Sequence, residues 1–149
     1  MISRSILSAL LIVLPIAAPS LARENPVRNM VEGPVEAELI SVIDGDTLLV
    51  NARPWPQHTI AVLVRIRGID APEMKSKCKT ARRAAERAKD ALSHLAIGRI
   101  RLTNISGDKY FGRIVADVTT EGDMDIGAAM IGSGLAHTYD GGRKVRESC

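Results

Sequence analysis

Four acidic residues lie where predicted strands meet turns. Asp44 and Asp46 flank a glycine in VIDGDTLLV, and Asp70 and Glu73 lie in GIDAPE, where the third predicted strand ends. A hairpin turn needs only one Asp before its Gly, so turn chemistry does not explain the second carboxylate. Clustered carboxylates favour a hard cation such as Ca²⁺, which also removes their mutual repulsion. The alternative is that each residue only satisfies its own turn, and spacing alone leaves both interpretations open.

Two arginines extend this set of residues. Arg65 lies five residues before Asp70 on the same predicted strand, and Arg113 opens the fifth predicted strand. A guanidinium presents a planar fork of donors that matches two phosphate oxygens. A hard cation polarises a phosphoryl oxygen, while arginines stabilise the charge that grows on it. Together these residue types are suited to phosphodiester hydrolysis.

Alternating apolar residues and turn signals predict the elements that position these groups. Five segments have the character of strands, namely residues 35–43, 47–52, 58–69, 99–105 and 112–120. The proline-rich stretch RPWPQ separates the second from the third as a turn. An alanine-rich amphipathic helix is predicted from Cys78 to Ala96, and a short helix ends near Gly134. Five strands with one helix inserted after the third indicate a small α+β domain built on an antiparallel barrel, over residues 35–149.

The first 22 residues have the layout of a secretory signal peptide. Arg4 precedes an apolar run, and small residues at Ser20 and Ala22 bracket the expected cleavage site. An uncleaved membrane anchor is the alternative, but the run is short for a bilayer span. We therefore expect an exported protein, periplasmic or secreted, with no stable membrane anchor after cleavage. Residues 23–34 contain two prolines and no periodicity, which predicts a flexible N-terminal arm.

Positive charge is concentrated in one segment of a mildly basic chain. The formal net charge is +3, and the stretch KSKCKTARRAAERAK carries seven basic residues against Glu86. Such a run favours an anionic partner such as nucleic acid. The alternative is a solvated helix face, which charge alone favours.

The two cysteines, Cys78 and Cys149, have several possible states. Export to an oxidising compartment favours a disulfide between them, while free thiols and a bridge between chains remain open. The three histidines have no metal-site spacing with each other or with the cysteines, so nothing in the sequence indicates zinc.

Four motifs in a fixed order carry a resemblance to a known family. VIDGDTLLV, VRIRGIDAPE, DKYFGRIVADV and IGSGLAHTYDGG follow one another within residues 35–140. Together they resemble the staphylococcal nuclease (thermonuclease) family. The resemblance implies an OB-fold, which is a five-stranded antiparallel Greek-key barrel, with one main helix after strand three and a short C-terminal helix. It also implies a Ca²⁺-dependent nuclease that acts on DNA and RNA with little sequence specificity and leaves 3′-phosphate ends. Separately, we expect a monomer, although the sequence leaves the oligomeric state open.

The resemblance assigns roles to residues of these motifs. Asp46 and Asp70 would be direct Ca²⁺ ligands, with the backbone carbonyl of Ala71 as a third. Asp44 and Glu73 would act in the outer shell, through water. Glu73 would also orient or deprotonate the attacking water.

The resemblance also implies the residues that bind substrate. Arg65 and Arg113 would hold the scissile phosphate, and Lys109, Tyr110 and Tyr139 would contact the nucleotide. The chain has Phe111 beyond the usual DKYGR motif, which leaves the reach of Arg113 open. The family's second tyrosine would fall at Asp140, so Tyr139 matches it only with a shift of one residue.

Two further functions remain open from the sequence. One is an OB-fold module that has lost catalysis and binds nucleic acid or protein, because a fold does not fix a function. The other is a calcium-stabilised structural domain, which would explain the carboxylates but leave the arginines without a role.

Overall fold

The structure, a computed structural model, describes residues 29–144 and residue 149. The predicted signal peptide, residues 1–22, lies outside this described part. The strands are β1 (Met30–Val31), β2 (Val35–Asp44), β3 (Thr47–Trp55), β4 (His58–Ile66), β5 (Ile69–Asp70), β6 (Arg99–Gly107), β7 (Arg113–Thr120) and β8 (His137–Thr138), and the helices are α1 (Lys79–Leu95) and α2 (Ile126–Gly132). No helix in the described ranges is both long and apolar enough to cross a membrane.

Five strands form a closed barrel. The strand order is β6-β2-β3-β4-β7, and β7 pairs back onto β6 to close the ring. With its two helices this confirms the α+β class and is consistent with an OB-fold. The expectation of a wholly antiparallel barrel is wrong, because β4 and β7 pair in parallel, with Leu63 opposite Arg113. A parallel pair needs a long connection, and here that connection contains α1 and β6.

The predicted turn RPWPQ is shorter in the structure than in the sequence-based prediction. β3 continues through Pro54 to Trp55, which pairs with His58, so the turn contains only Pro56 and Gln57. Proline cannot donate a ladder hydrogen bond, and the register between β3 and β4 shifts between Ala52 and Trp55 to accommodate it.

Part of the predicted N-terminal arm is also a strand. Met30 and Val31 pair with Ser106 and Ile105 of β6, and the amide of Asn104 donates to the carbonyl of Glu32 at 2.9 Å. Two paired residues are too few to show the alternation by which a strand is predicted from sequence.

The barrel core contains only aliphatic and small side chains. Its largest fully buried residues are Leu48, Ile66, Ile69, Leu92, Ile100, Leu102, Ile126 and Met130. None of the chain's four Phe, Tyr and Trp residues is buried. Aromatic residues normally contribute much of the buried area of a core, so their position outside it points to another role.

α1 packs closely on the turn between β2 and β3. A Cβ atom on Gly45 would lie 2.6 Å from the Cβ of Ala88 on α1 and 2.8 Å from the Cβ of Ala71. Both distances are below van der Waals contact, so this position requires glycine for close approach. The turn that carries Asp44 and Asp46 is therefore held between α1 and the segment after β5.

A substitution at Gly45 tests this packing. Gly45→Ala should lower the free energy of unfolding by about 1–3 kcal/mol, because the added methyl overpacks the contact with Ala88 and Ala71. Urea unfolding followed by circular dichroism measures the change. Gly107→Ala is the matched control, since an added Cβ there meets no atom within 4 Å. Equal stability of the two variants would show that α1 does not constrain the turn.

Candidate active site

Arg65 is held between two buried carboxylates. Its Nη1 lies 2.6 Å from Oδ2 of Asp46, and its Nη2 lies 3.4 Å from Oδ1 of Asp70. Nη2 also donates to the carbonyl of Ile69 at 3.0 Å. The barrel sets this geometry, because Thr47 pairs with Arg65 across the ladder of β3 and β4. The sequence-based prediction that Asp46, Asp70 and Arg65 share one site is therefore consistent with their observed contacts.

Further hydrogen bonds fix the carboxylate of Asp46. The hydroxyl of Thr47 donates to Oδ1 at 2.8 Å, and the amide of Ala71 donates to Oδ2 at 3.2 Å. Ala71, predicted to contribute its carbonyl to a cation, is thus in contact with Asp46 through its amide. The last residue of β5, Asp70, is held by pairing with His137 of β8.

Lys144 is a member of this site that the sequence did not reveal. Its Nζ lies 3.1 Å from Oδ1 of Asp70 and 2.7 Å from Oε1 of Glu73. Burial disfavours the ammonium, but hydrogen bonds and charge from Glu73 and Asp70 outweigh it and raise the pKa of Lys144. The pairing of β5 with β8 brings this segment to the site, and two-residue strands leave no periodic signal that could have predicted it.

The other two predicted acidic residues lie at the edge of the site. Burial, and then the charge of Asp46, raise the pKa of Asp44, while Lys89 acts in the opposite direction and Glu73 adds a smaller increase. Glu73 is exposed, with 66% of its side chain accessible. In the described part of the chain, no three Asp, Glu, His or Cys side chains converge closely enough to hold a metal by themselves. The four predicted acidic residues therefore do not form one compact cluster. Asp44 and Glu73 lie at the edge of the contact of Arg65 with Asp46 and Asp70.

Arg113 begins β7 on the same barrel face as Arg65. It pairs with Leu63, two residues before Arg65, so the backbone positions of Arg113 and Arg65 are offset by roughly 7 Å along the strands. Its Nε donates to Oδ2 of Asp108 at 2.5 Å. Burial disfavours the ionised form of Asp108, but the hydrogen bond and charge of Arg113 outweigh this and lower its pKa. The extra residue, Phe111, lies in the turn before β7 and leaves the pairing of Arg113 intact.

Both tyrosines of the predicted substrate site stack on arginines. The guanidinium carbon of Arg65 lies 5.4 Å from the ring centroid of Tyr139, and that of Arg113 lies 4.7 Å from the ring centroid of Tyr110. The structure therefore places Tyr139 beside Arg65. Lys109 lies over the Tyr110 ring at 5.1 Å. Such contacts stabilise each cation and hold it in one orientation.

A cleft opens at Asp70 and Glu73. It has a volume of about 530 Å³, and its lining combines these two carboxylates and small apolar residues with basic and polar residues, among them Lys75, Ser76, His137, Arg143 and Lys144. A mixed lining of this kind suits a phosphate ester, whose charge the basic groups attract. The cleft includes His137, which sequence spacing had not placed near any functional group.

The two cysteines are free thiols in the structure. A hydrogen bond from the Cys149 thiol, and a second from Thr80, lower the pKa of Cys78 to about 7. The same interaction with Cys78 raises the pKa of Cys149. The side chains are thus neighbours, and the disulfide between them stays a prediction.

The sequence was compared with known families and proteins. A comparison with curated proteins finds no match. The family model described as Staphylococcal nuclease homologue matches residues 63–148, which is more than half of the chain and includes Arg65, Asp70, Glu73 and Arg113. The closed barrel, the two helices and this match lead to one conclusion: the chain belongs to the staphylococcal nuclease homologue family.

Proposed function

We propose that the protein is a Ca²⁺-dependent nuclease that hydrolyses phosphodiester bonds of DNA and RNA with little sequence specificity. The observation that carries the proposal is the contact of Arg65 with both Asp46 and Asp70, of which Asp70 also lines an open cleft. Two buried carboxylates and a guanidinium stacked on Tyr139 combine anionic and phosphate-binding groups in one place. A purely structural domain would need no cleft next to them.

The chemistry of the donors fits a hard cation. Asp46 and Asp70 present carboxylate oxygens, and a cationic ammonium already lies 3.1 Å from Asp70. We assign Asp46, Asp70 and the carbonyl of Ala71 as ligands, with Asp44 and Glu73 acting through water. Ca²⁺ accepts backbone carbonyls and waters in an irregular shell, so a third converging side chain is unnecessary. When bound, the cation polarises a phosphoryl oxygen.

The arginines and Glu73 carry out the remaining chemistry. Arg65 and Arg113 bind the non-bridging oxygens of the scissile phosphate and stabilise the negative charge that increases on them in the transition state. Their stacking on Tyr139 and Tyr110 orients both before substrate arrives. Glu73 is exposed to the cleft and accepts a proton from, or orients, the attacking water. Attack that expels the 5′-oxygen leaves a 3′-phosphate end.

The remaining proposals concern the protein's surroundings. We infer export to the periplasm or the medium, based on the N-terminal sequence, and a monomeric state. In an oxidising compartment the neighbouring thiols of Cys78 and Cys149 would join as a disulfide.

The first prediction concerns metal dependence. The mature protein should degrade plasmid DNA and RNA with Ca²⁺, and hydrolysis should stop in excess chelator. Asp46→Asn should weaken Ca²⁺ binding, measured by calorimetry, more than Asp44→Asn does, because Asp46 is the buried neighbour of Arg65. Unchanged hydrolysis in chelator would contradict the cation assignment. Nucleic-acid binding without hydrolysis under any metal condition would instead support an inactive binding module.

The second prediction concerns Arg65. Arg65→Ala should lower kcat by on the order of a hundredfold or more, as for other lost transition-state donors. Arg65→Lys should restore little activity, because an ammonium cannot bind two oxygens as a guanidinium does. Both variants are compared at saturating Ca²⁺ and below their melting temperatures, since removing Arg65 leaves buried carboxylates unpaired. Wild-type kcat in Arg65→Lys would show that bidentate binding is unimportant.

The third prediction concerns Lys144, which we infer competes with the cation for Asp70 and Glu73. Lys144→Met should raise Ca²⁺ affinity about 2- to 5-fold, the range expected from losing a partly exposed ion pair. In chelator the same variant should melt at a lower temperature than wild type, and saturating Ca²⁺ should remove that difference. Arg143→Met serves as the control, because it removes the exposed basic side chain that precedes Lys144 in the sequence. Equal or weaker Ca²⁺ binding by Lys144→Met would show that Lys144 does not compete.

A further inference from the structure

The aromatic residues of this chain are concentrated at the candidate site. The chain has only four Phe, Tyr and Trp residues, and three of them are Tyr110, Phe111 and Tyr139. Tyr110 and Tyr139 are each covered by an arginine. Phe111 makes no aromatic or cation–π contact with the described residues and is fully exposed, at 108% of its reference area.

Phe111 lies at the tip of a turn that is held by its own hydrogen bonds. The amide of Asp108 donates to the carbonyl of Arg113 at 3.2 Å, and the amide of Arg113 donates to the carbonyl of Tyr110 at 3.3 Å. The Asp108 carboxylate accepts from Arg113 as well. Gly112 supplies the left-handed backbone conformation, with φ of +81°. The backbone of the turn is therefore fixed, and the Phe111 ring projects from it into solvent.

The charges around Phe111 indicate a polyanionic partner. Lys109 and Arg113 both contact the ring of Tyr110, the residue before Phe111, so two cations belong to the same turn as the exposed phenyl ring. An apolar protein partner would require a contiguous apolar patch, whereas here the neighbours are basic and polar. A base adjoining a phosphate satisfies both features, because its flat face stacks on the ring while the phosphate meets the cations.

We propose that Phe111 is a stacking platform for an unpaired nucleobase next to the phosphate held by Arg113, so that single-stranded nucleic acid binds more tightly than duplex. The inference rests on the proposed function for the position of the phosphate. A base within a duplex is already stacked on both faces and cannot also stack on Phe111 without leaving the helix. Every base has such a face, so the contact adds strand preference without sequence preference.

Binding without cleavage tests the proposal. Fluorescence anisotropy is measured in chelator with three labelled probes that carry the same number of phosphates. These are a single-stranded oligothymidylate, an abasic single strand and a duplex. Wild type should bind the single strand more tightly than the abasic strand. Phe111→Ala should weaken single-strand binding about fivefold or more, the lower end of measured base–aromatic stacking, and leave abasic and duplex binding unchanged. Ile97→Ala, which removes another exposed apolar side chain, should change none of the three.

A second variant reports on the ring position directly. In Trp55→Phe/Phe111→Trp, the sole tryptophan lies at the tip of the turn, and its fluorescence should be quenched by the single strand but not by the abasic strand. Equal loss of affinity for all three probes in Phe111→Ala, or no loss for any, would overturn the proposal. A fluorescence change with anionic lipid vesicles and none with oligonucleotides would likewise overturn it and mark Phe111 as a membrane contact. If the protein does not hydrolyse nucleic acid but still binds the single strand more tightly than the duplex, that result would count only against the nuclease function.

Discussion

The contact of one guanidinium with two buried carboxylates constrains the rest of the structure. Asp46 and Asp70 are each less than a tenth exposed, and burial of unpaired carboxylates costs several kcal/mol per group. Arg65 compensates both, with Lys144 adding a second cation beside Asp70. The register of β3, β4 and β5 must therefore be the one that brings these three residues together.

The surrounding fold meets this constraint with small residues. Gly45 lets α1 approach the turn before Asp46, and Ala71 and Ala88 fill the contact without displacing it. An aliphatic core leaves the aromatic residues free for the surface, where Tyr110 and Tyr139 orient Arg113 and Arg65. Aliphatic residues thus stabilise the core, while aromatic residues set the geometry of the site. The stacking of the arginines on the tyrosines holds the guanidinium groups in place, and in the proposed nuclease this preorganisation would supply the electrostatic stabilisation of the transition state.

Much of the architecture follows from local pattern. The five barrel strands were predicted within a few residues because their apolar runs are bounded by turn residues, and α1 because its alanine stripe repeats at helical spacing. The contacts that depend on distant pairing were missed. β5 and β8 have two residues each, so Lys144 could not be placed beside Asp70 from sequence. The parallel pairing of β4 with β7 likewise depends on residues far apart in the chain. The continuation of β3 through Pro54 was missed for a local reason, because proline usually marks a turn but here lies where the ladder register shifts.

In the proposed mechanism, Asp46 and Asp70 form a cation centre from which Lys144 is displaced. A crystal structure of the mature protein grown with Ca²⁺ and a short thymidine oligonucleotide tests it directly, through the anomalous signal of calcium. We expect an anomalous peak between the carboxylates of Asp46 and Asp70, with Lys144 withdrawn from Asp70 and the guanidinium of Arg65 moved from the carboxylates to a phosphate. Absence of any peak there at saturating Ca²⁺, with Arg65 and Lys144 still on the carboxylates, would show that these residues do not bind the cation.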